Sequence, residues 1–111
     1  MRLTSEFWVA AYIRRVQEGG AHAMLAKRGA REAGAIHLRI VGQGGERLLS
    51  PAPMSLDGDG TTRQWSLRLE GSASEIDAVL ASEMRFDEDA WVVDVEDRSG
   101  RDFLEDDERG D

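Results

Sequence analysis

The sequence predicts a single α+β domain in which helices and strands follow the order α-β-β-β-β-α-β. The chain of 111 residues is long enough for one hydrophobic core and too short for two. Apolar residues recur at helical spacing in two segments, and elsewhere they alternate with polar residues as they do in strands. We expect a mostly antiparallel sheet with both helices packed on one of its faces, all within residues 1–104.

The first helix is predicted to begin at Thr4, whose hydroxyl suits an N-cap. Residues 7–13, "FWVAAYI", are apolar without a break. A helix with so broad an apolar surface is expected to contact the rest of the domain on most sides. The pair Gly19 and Gly20 follows and supplies the left-handed residue that commonly ends a helix.

The next segment, residues 21–34, is ambiguous between helix and strand. Its Ala, Leu, Met, Lys and Arg content favours helix, whereas Gly29 and Gly34 disfavour one long helix. The alternative is a hairpin that turns around residues 28–32 and pairs this segment with a strand over residues 34–42. The apolar face of that strand would hold Ile36, Leu38 and Ile40.

Turn-forming residues divide the middle of the chain. Residues 42–45 are a glycine-rich turn. Residues 46–53 are predicted to be an edge strand that Pro51 and Pro53 end, because proline donates no ladder hydrogen bond. Residues 56–62, "LDGDGTT", are predicted to be a flexible loop.

A strand and the second helix come next. Apolar residues alternate with polar ones from Trp65 to Leu69, which predicts a strand with one buried face. Ser72 and Glu75 have the spacing of a capping box and mark the start of an amphipathic helix. The apolar residues of that helix are Ile76, Val79, Leu80 and Met84.

The chain is predicted to end in a strand and a charged tail. Two-residue alternation returns after the second helix. The apolar face of this strand holds Trp91, Val93 and Val95. The opposite face holds Val92, Asp94 and Glu96. Residues 105–111 are rich in charge and poor in apolar side chains, so we expect a disordered acidic tail.

Charge is distributed unevenly along the chain. Residues 1–69 hold ten Lys/Arg and six Asp/Glu, whereas residues 70–111 hold four and sixteen, which gives the formal net charge of -8. The two parts either attract each other within one fold or leave the acidic end free to bind a basic protein partner. A pI of about 4.7 argues against nucleic acid as a ligand. The composition, 41% hydrophobic and 32% charged without a long apolar stretch, predicts a cytoplasmic protein that does not enter a membrane.

The acidic segment around the last strand is the densest group of ionisable residues. Asp94 and Glu96 lie on the strand and Asp87 lies in the connection before it, so the carboxylates are separated. No pair among them is marked for acid–base catalysis, and the segment lacks the pattern of a calcium-binding loop. We expect Asp87 to cap a turn, and Asp94 and Glu96 to be either solvated strand residues or ligands of a cation or partner.

Two pairs of basic or imidazole side chains are further candidates. Arg14 and Arg15 could clamp a phosphate or carboxylate, or they could stabilise the end of the first helix and form internal salt bridges. His22 and His37 could approach each other on hairpin arms and join an acid in a zinc site, although a half-exposed surface position is the simpler interpretation for His37. The candidate binding residues are Arg14, Arg15, Arg39, Asp87, Asp94 and Glu96. The candidate core aromatics are Trp8, Trp65 and Trp91.

The chain also resembles a known family over almost its whole length. The similar segments are "MRLTSEFWVAAYIRR" with the Gly-Gly after it, "KRGAREAGAI", "PAP" at residues 51–53, and "RFDEDAWVVDVEDRSGRDFL". They resemble an uncharacterised alphaproteobacterial family that is catalogued as domain of unknown function 1491. The resemblance implies an α+β domain and favours strand for the ambiguous segment, and it brings no activity, cofactor or catalytic residue.

Three functional hypotheses remain open. The first is a non-enzymatic adaptor that presents its acidic strand and tail to a protein partner, and it requires no cofactor or metal. The second is a small-molecule or metal-dependent enzyme that uses His37, Arg39 and the acids of residues 87–96. The third is a homodimer that assembles through the edge strand near Pro51.

Overall fold

Residues 2–53 and 62–110 are described by the computed structural model, and they form one α+β domain. The helices and strands are α1 (Ser5–Glu18), β1 (His22–Lys27), β2 (Ile36–Gly42), β3 (Gly45–Pro51), β4 (Trp65–Gly71), α2 (Ala73–Phe86) and β5 (Trp91–Glu96), followed by a short 3₁₀ helix (Asp106–Glu108). The predicted class and element order are confirmed, and the ambiguous segment is a strand. The flexible loop predicted over residues 56–62 lies outside the described residues except for Thr62.

The strands form one sheet in the order β1-β5-β2-β3-β4. β5 runs parallel to β2, and the other neighbouring pairs are antiparallel. The expected hairpin between β1 and β2 is wrong, because β5 lies between them. The connection from β1 to β2 instead wraps around the start of β5. There the Ala30 N–H donates to the Asp89 carbonyl at 2.8 Å and the Trp91 N–H donates to the Ala35 carbonyl at 2.7 Å.

β3 is an interior strand, which corrects the expectation of an edge strand before Pro51. Pro51 is the last residue of β3 and pairs with Trp65, so its missing N–H falls where the ladder ends. A dimer through an edge at Pro51 therefore has no free strand to use. The edges are β1 and β4, and on β4 the expected buried face is incomplete, because Trp65 is buried whereas Leu67 is 52% exposed.

α1 has the ends that its sequence predicts. The Thr4 hydroxyl accepts a hydrogen bond from the Phe7 N–H at 3.1 Å. Gly19 is the C-cap, and Gly20 follows with a φ of +91°, which only glycine adopts without strain. The helix buries one face against the sheet, and its buried apolar residues are Trp8, Val9, Tyr12 and Val16.

The core between α1 and the sheet is built around tryptophan. The Trp8 ring lies 4.8 Å from that of Tyr12 and 4.3 Å from that of Trp65, centroid to centroid. Trp65 donates its indole N–H to the Ile36 carbonyl at 2.7 Å. Trp8, Trp65 and Trp91 are all buried. Each fully buried side chain of this size stabilises the fold by about 2–3 kcal/mol.

α2 lies on the face of the sheet opposite α1, which corrects the expectation of both helices on one face. Side chains of β2 alternate between the two faces. Leu38 belongs to the core with α1, whereas Arg39 donates to the Asp77 carboxylate and the Ala73 carbonyl of α2. β2 and β5 are parallel, and α2 lies in the connection between them. The handedness of such a crossover fixes the face of the sheet on which its helix lies, and α1 covers the opposite face. Neither of these two helices, in the described part of the chain, is long and apolar enough to cross a membrane.

The C-terminal segment is ordered through residue 110, which corrects the expected disordered tail over 105–111. Glu108 is buried in the 3₁₀ helix. Arg109 forms an isolated parallel bridge with Trp65, and the Gly110 N–H donates to the Trp65 carbonyl at 2.8 Å. The segment therefore lies beside the start of β4 as part of the domain, and only residue 111 of the predicted tail is outside the described residues.

Candidate functional site

One half of the sheet face that carries α2 is left uncovered. α2 packs on β3 and β4, and beside it the surface of β1, β5 and β2 forms an open groove of about 490 Å³. We call this the sheet groove. It is lined by His22, Ala23, Met24, Arg39, Val41, Glu46, Asp94 and Glu96.

Strand register sets the order of side chains across the groove. Asp94 of β5 pairs with Met24 of β1 on one side and with Arg39 of β2 on the other. Two residues further along β5, Glu96 pairs with His22 of β1 and with Val41 of β2. Three of the predicted binding residues, Arg39, Asp94 and Glu96, therefore meet in one place.

Arg39 already forms ion pairs with two carboxylates and is therefore not available to bind an anion. Its Nε donates to Glu46 Oε1 at 2.6 Å, and its Nη1 donates to Asp77 Oδ1 at 2.6 Å. Burial lowers the pKa of Arg39, but these two carboxylates outweigh burial and hold the pKa above its usual value. Arg39 is thus a fixed cation whose charge is already neutralised.

Asp94 is the electrostatically strained member of the groove. It is half-buried, and among the described residues no group donates to its shielded Oδ1 and no cation forms an ion pair with it. Burial raises the pKa of Asp94, and the negative charges of Glu46 and Glu96 act in the same direction, against the opposing charge of Arg39. A cation that entered the groove would relieve this penalty.

The groove also has an aliphatic side. Met24 is 63% exposed, although it lies on a strand directly beside Asp94. Val41 is half-buried at the opposite edge. Exposed apolar surface next to an unpaired carboxylate matches a ligand that has both a hydrocarbon part and a positive charge.

The remaining predicted binding residues lie elsewhere and have structural contacts. Arg14 is exposed on the outer side of α1, whereas Arg15 turns inward and donates to the Phe103 carbonyl and to Glu108. The two guanidinium groups therefore do not form a clamp. Asp87 is the C-cap of α2, and its Oδ1 accepts a hydrogen bond from the Asp89 N–H at 3.1 Å.

The two histidines do not meet. His22 is exposed in the sheet groove, and His37 is buried on the α2 side of β2, which corrects the surface position predicted for it. His37 Nδ1 lies 2.9 Å from Ser50 Oγ, and its Nε2 has no partner among the described residues. In the described ranges no group of three or more His, Cys, Asp or Glu side chains is placed to hold a metal ion. His37 does not line the sheet groove, whereas Arg39 and Asp94 do.

Sequence reasoning missed Met24 in the groove and Arg63 on the α1 side of the domain, and it considered His22 only as a zinc ligand. Met24 and His22 become groove residues only through the pairing of β1 with β5, which no local pattern indicates. Arg63 was not selected at all, because a lone arginine after a loop is ordinarily exposed. Its burial is a consequence of tertiary packing.

The model of the family described as "Protein of unknown function (DUF1491)" matches residues 3–105. The crystal structure of a DUF1491 family protein from Caulobacter crescentus CB15 is 38% identical, with a TM-score of 0.81 and coverage of 94% of this chain and 95% of that chain. The solution structure of protein Atu0922 from A. tumefaciens is 45% identical, with a TM-score of 0.77 and coverage of 87% of each chain.

An NMR structure of a DUF1491 family protein from Caulobacter crescentus CB15 agrees, with 40% identity, a TM-score of 0.80 and coverage of 94% of each chain. No curated protein matches this chain. The family model spans nearly the whole sequence, and the related structures share both its sequence and its fold. The protein therefore belongs to the DUF1491 family, a family of unknown function.

Proposed function

We propose that this protein is a non-enzymatic, cytoplasmic interaction domain that binds a lysine- or arginine-containing segment of a partner protein in the sheet groove. The observation that carries the proposal is Asp94. It is a half-buried carboxylate that forms no ion pair within the described part of the chain, and it lies in an open groove that also exposes Met24. A solvated surface acid would have neither the burial nor the aliphatic neighbour.

The chemistry of a basic side chain fits both parts of the groove. Its methylene stem would pack on Met24 and Val41, and its charged head would reach Asp94 and Glu96. Arginine and lysine both carry such a stem, and arginine adds a planar fork that suits a carboxylate. Glu46 is not expected to bind the partner's charge, because it already accepts a hydrogen bond from Arg39.

The pairing of acids in the C-terminal segment favours β5, rather than the tail, as the element that binds a partner. Glu108 is paired with Arg15, and Asp102 is paired with Arg109. These carboxylates are engaged inside the domain. Asp94 and Glu96 have no ion pair within the described residues and remain free for an external cation.

The proposal is tested with pentalysine and pentaarginine as probes in a ¹H–¹⁵N NMR titration at low ionic strength. We expect the largest shifts at His22, Met24 and Asp94. The double variant Asp94→Asn, Glu96→Gln should weaken binding by about tenfold, the size expected for lost charge-assisted hydrogen bonds.

The matched control is Glu32→Gln, Glu88→Gln. It removes the same amount of charge from two exposed carboxylates outside the groove, so binding should change by less than about twofold. Equal weakening in both double variants would mean that the probes respond only to net charge, and the proposal would then be rejected. Shifts centred away from β1 and β5 would reject it as well.

A further inference from the structure

Arg63 is a buried arginine that has no acidic partner among the described residues. It is 9% exposed, and it is the one buried arginine in the described ranges. Its Nη2 donates to the Leu3 carbonyl at 2.8 Å, and its Nε has no acceptor among the described residues. No carboxylate in that part of the chain forms an ion pair with it.

Two other arginines with restricted exposure are neutralised by carboxylates, whereas half-buried Arg47 donates to the Gly100 carbonyl and forms no ion pair within the described residues. Arg15 pairs with Glu108 at 2.7 Å, and Arg39 pairs with Glu46 at 2.6 Å. A guanidinium group stays charged at neutral pH, and a buried charge without a counter-charge is unfavourable. Arg63 therefore differs from Arg15 and Arg39, because it is more deeply buried and has no counter-charge among the described residues.

A second guanidinium group lies close by. Burial lowers the pKa of Arg63, and the positive charge of Arg2 lowers it further. Two like charges on one side of an acidic protein repel each other unless an anion lies between them. The proximity of Arg2 thus increases the excess of positive charge.

These groups line a cavity of about 210 Å³ between the start of α1 and the C-terminal segment. It is bordered by Arg2, Trp8, Arg15, Thr62, Arg63 and Glu108, with Asp107 exposed at its rim. Arg15 and Glu108 neutralise each other there, and the two guanidinium groups of Arg2 and Arg63 outnumber the one carboxylate of Asp107, so the lining has a net positive charge. The volume corresponds to roughly seven water molecules, which suits a small oxyanion and is below the size of a typical drug-like site.

We infer that this cavity binds a phosphate group, held by the guanidinium groups of Arg2 and Arg63 and by the hydroxyl of Thr62. A phosphate group supplies the negative charge that complements this net positive lining, and its oxygens suit the planar fork of arginine. The site is on the α1 side of the domain, away from the sheet groove, and it does not depend on the proposed function. It is also independent of Arg14, which points to another surface.

Inorganic phosphate is the probe for this site. In an NMR titration at constant ionic strength, we expect phosphate to shift the Arg63 side-chain Nε–Hε resonance and the Thr62 amide, and an equal titration with chloride to leave them unchanged. Arg2→Gln removes an exposed side chain and should weaken phosphate binding by about tenfold. Arg63→Met should abolish it.

The control variant is Arg14→Ala, an exposed arginine of α1 outside this cavity, and its phosphate affinity should change by less than about twofold. If Arg63→Met does not fold, the wild-type Nε–Hε resonance and Arg2→Gln still decide the outcome. Absence of shifts at millimolar phosphate would overturn the inference. Unchanged phosphate affinity in Arg2→Gln, or equal shifts with chloride, would also overturn it.

Discussion

Trp8 and Glu108 are separated by 100 positions in the sequence, and the indole N–H of Trp8 donates to Glu108 Oε2 at 3.0 Å. Glu108 Oε1 accepts from Arg15 Nη1 at 2.7 Å and from the Glu105 N–H at 2.8 Å. Burial alone would raise the pKa of Glu108, but the hydrogen bonds from Arg15, Glu105 and Trp8 hold it below its usual value. One carboxylate thus joins the C-terminal turn to α1.

Glu108→Ala should lower the free energy of unfolding by about 2–4 kcal/mol, because it leaves the Trp8 N–H without an acceptor and removes the ion pair of Arg15. The measurement is urea denaturation at neutral pH. Asp106→Ala, in the same turn but exposed, should change stability by less than about 0.5 kcal/mol. Similar effects of the two substitutions would show that the turn contributes no stability through Glu108.

The same contact predicts a dependence on acid. Because the pKa of Glu108 is lower in the folded state than its ordinary value of 4.5, its contribution to stability is complete above that value. The contribution is lost as the pH falls through the folded-state pKa. The stability difference between wild type and Glu108→Ala should therefore shrink in acid, and a difference that grew in acid would contradict this assignment.

Gly29 lies where the connection from β1 to β2 passes the start of β5. A Cβ at this position would stand 2.6 Å from Trp91 Cδ1 and 2.7 Å from the carbonyl carbon of Ala90. Gly29→Ala should destabilise the protein by about 1–3 kcal/mol, since backbone and a buried ring must both move. Gly44→Ala is the control, because an added Cβ there meets nothing within 4 Å. Thermal unfolding of both variants tests this directly.

Local rules predicted the elements but not their arrangement. The Thr4 cap, the Ser72 and Glu75 capping box and the alternation in β5 depend on neighbours in sequence, and all are present in the structure. The insertion of β5 between β1 and β2 joins residues about seventy positions apart, such as His22 and Glu96. No periodicity within β1 indicates such a partner.

The candidate site was predictable to the same extent. Asp94 and Glu96 could be selected because they alternate with apolar residues on a strand, and Arg39 follows the same logic on β2. Met24 acquires its role only from a long-range register. The tail was wrongly expected to be disordered because composition counts the charge of Glu108 and cannot register its hydrogen bond to Trp8.

A second dependence of stability on pH is predicted for His37, which is a basic side chain, whereas Glu108 is an acid. Burial, assisted by the charge of Arg68, lowers the pKa of His37 despite the opposing charges of Glu83 and Asp87. Its contribution to stability is complete above the ordinary value of 6.5 and declines as the pH falls through the folded-state pKa. Between about pH 7 and pH 5, wild type should therefore lose stability through this residue.

His37→Leu should remove that part of the decline, which urea denaturation at the two pH values measures. An NMR titration of the His37 ring should show it neutral below its ordinary pKa. An unchanged pH dependence of stability in His37→Leu would mean that other groups account for the decline.

Asp94 links stability to the proposed binding function. Because burial raises its folded-state pKa, the ionised side chain destabilises the fold at neutral pH. The penalty disappears as the pH falls below the ordinary value of 3.8, where both states are protonated. Asp94→Asn should therefore raise the free energy of unfolding by about 1 kcal/mol at neutral pH, the scale of one unsatisfied buried group, and should weaken pentalysine binding.

Glu96→Gln, which alters an exposed carboxylate of the same groove, should weaken binding without this gain in stability. A loss of stability in Asp94→Asn would instead mean that the ionised carboxylate stabilises the fold. Asp94 would then have no unfavourable charge for a bound cation to relieve, and the proposed binding site would lose its main support.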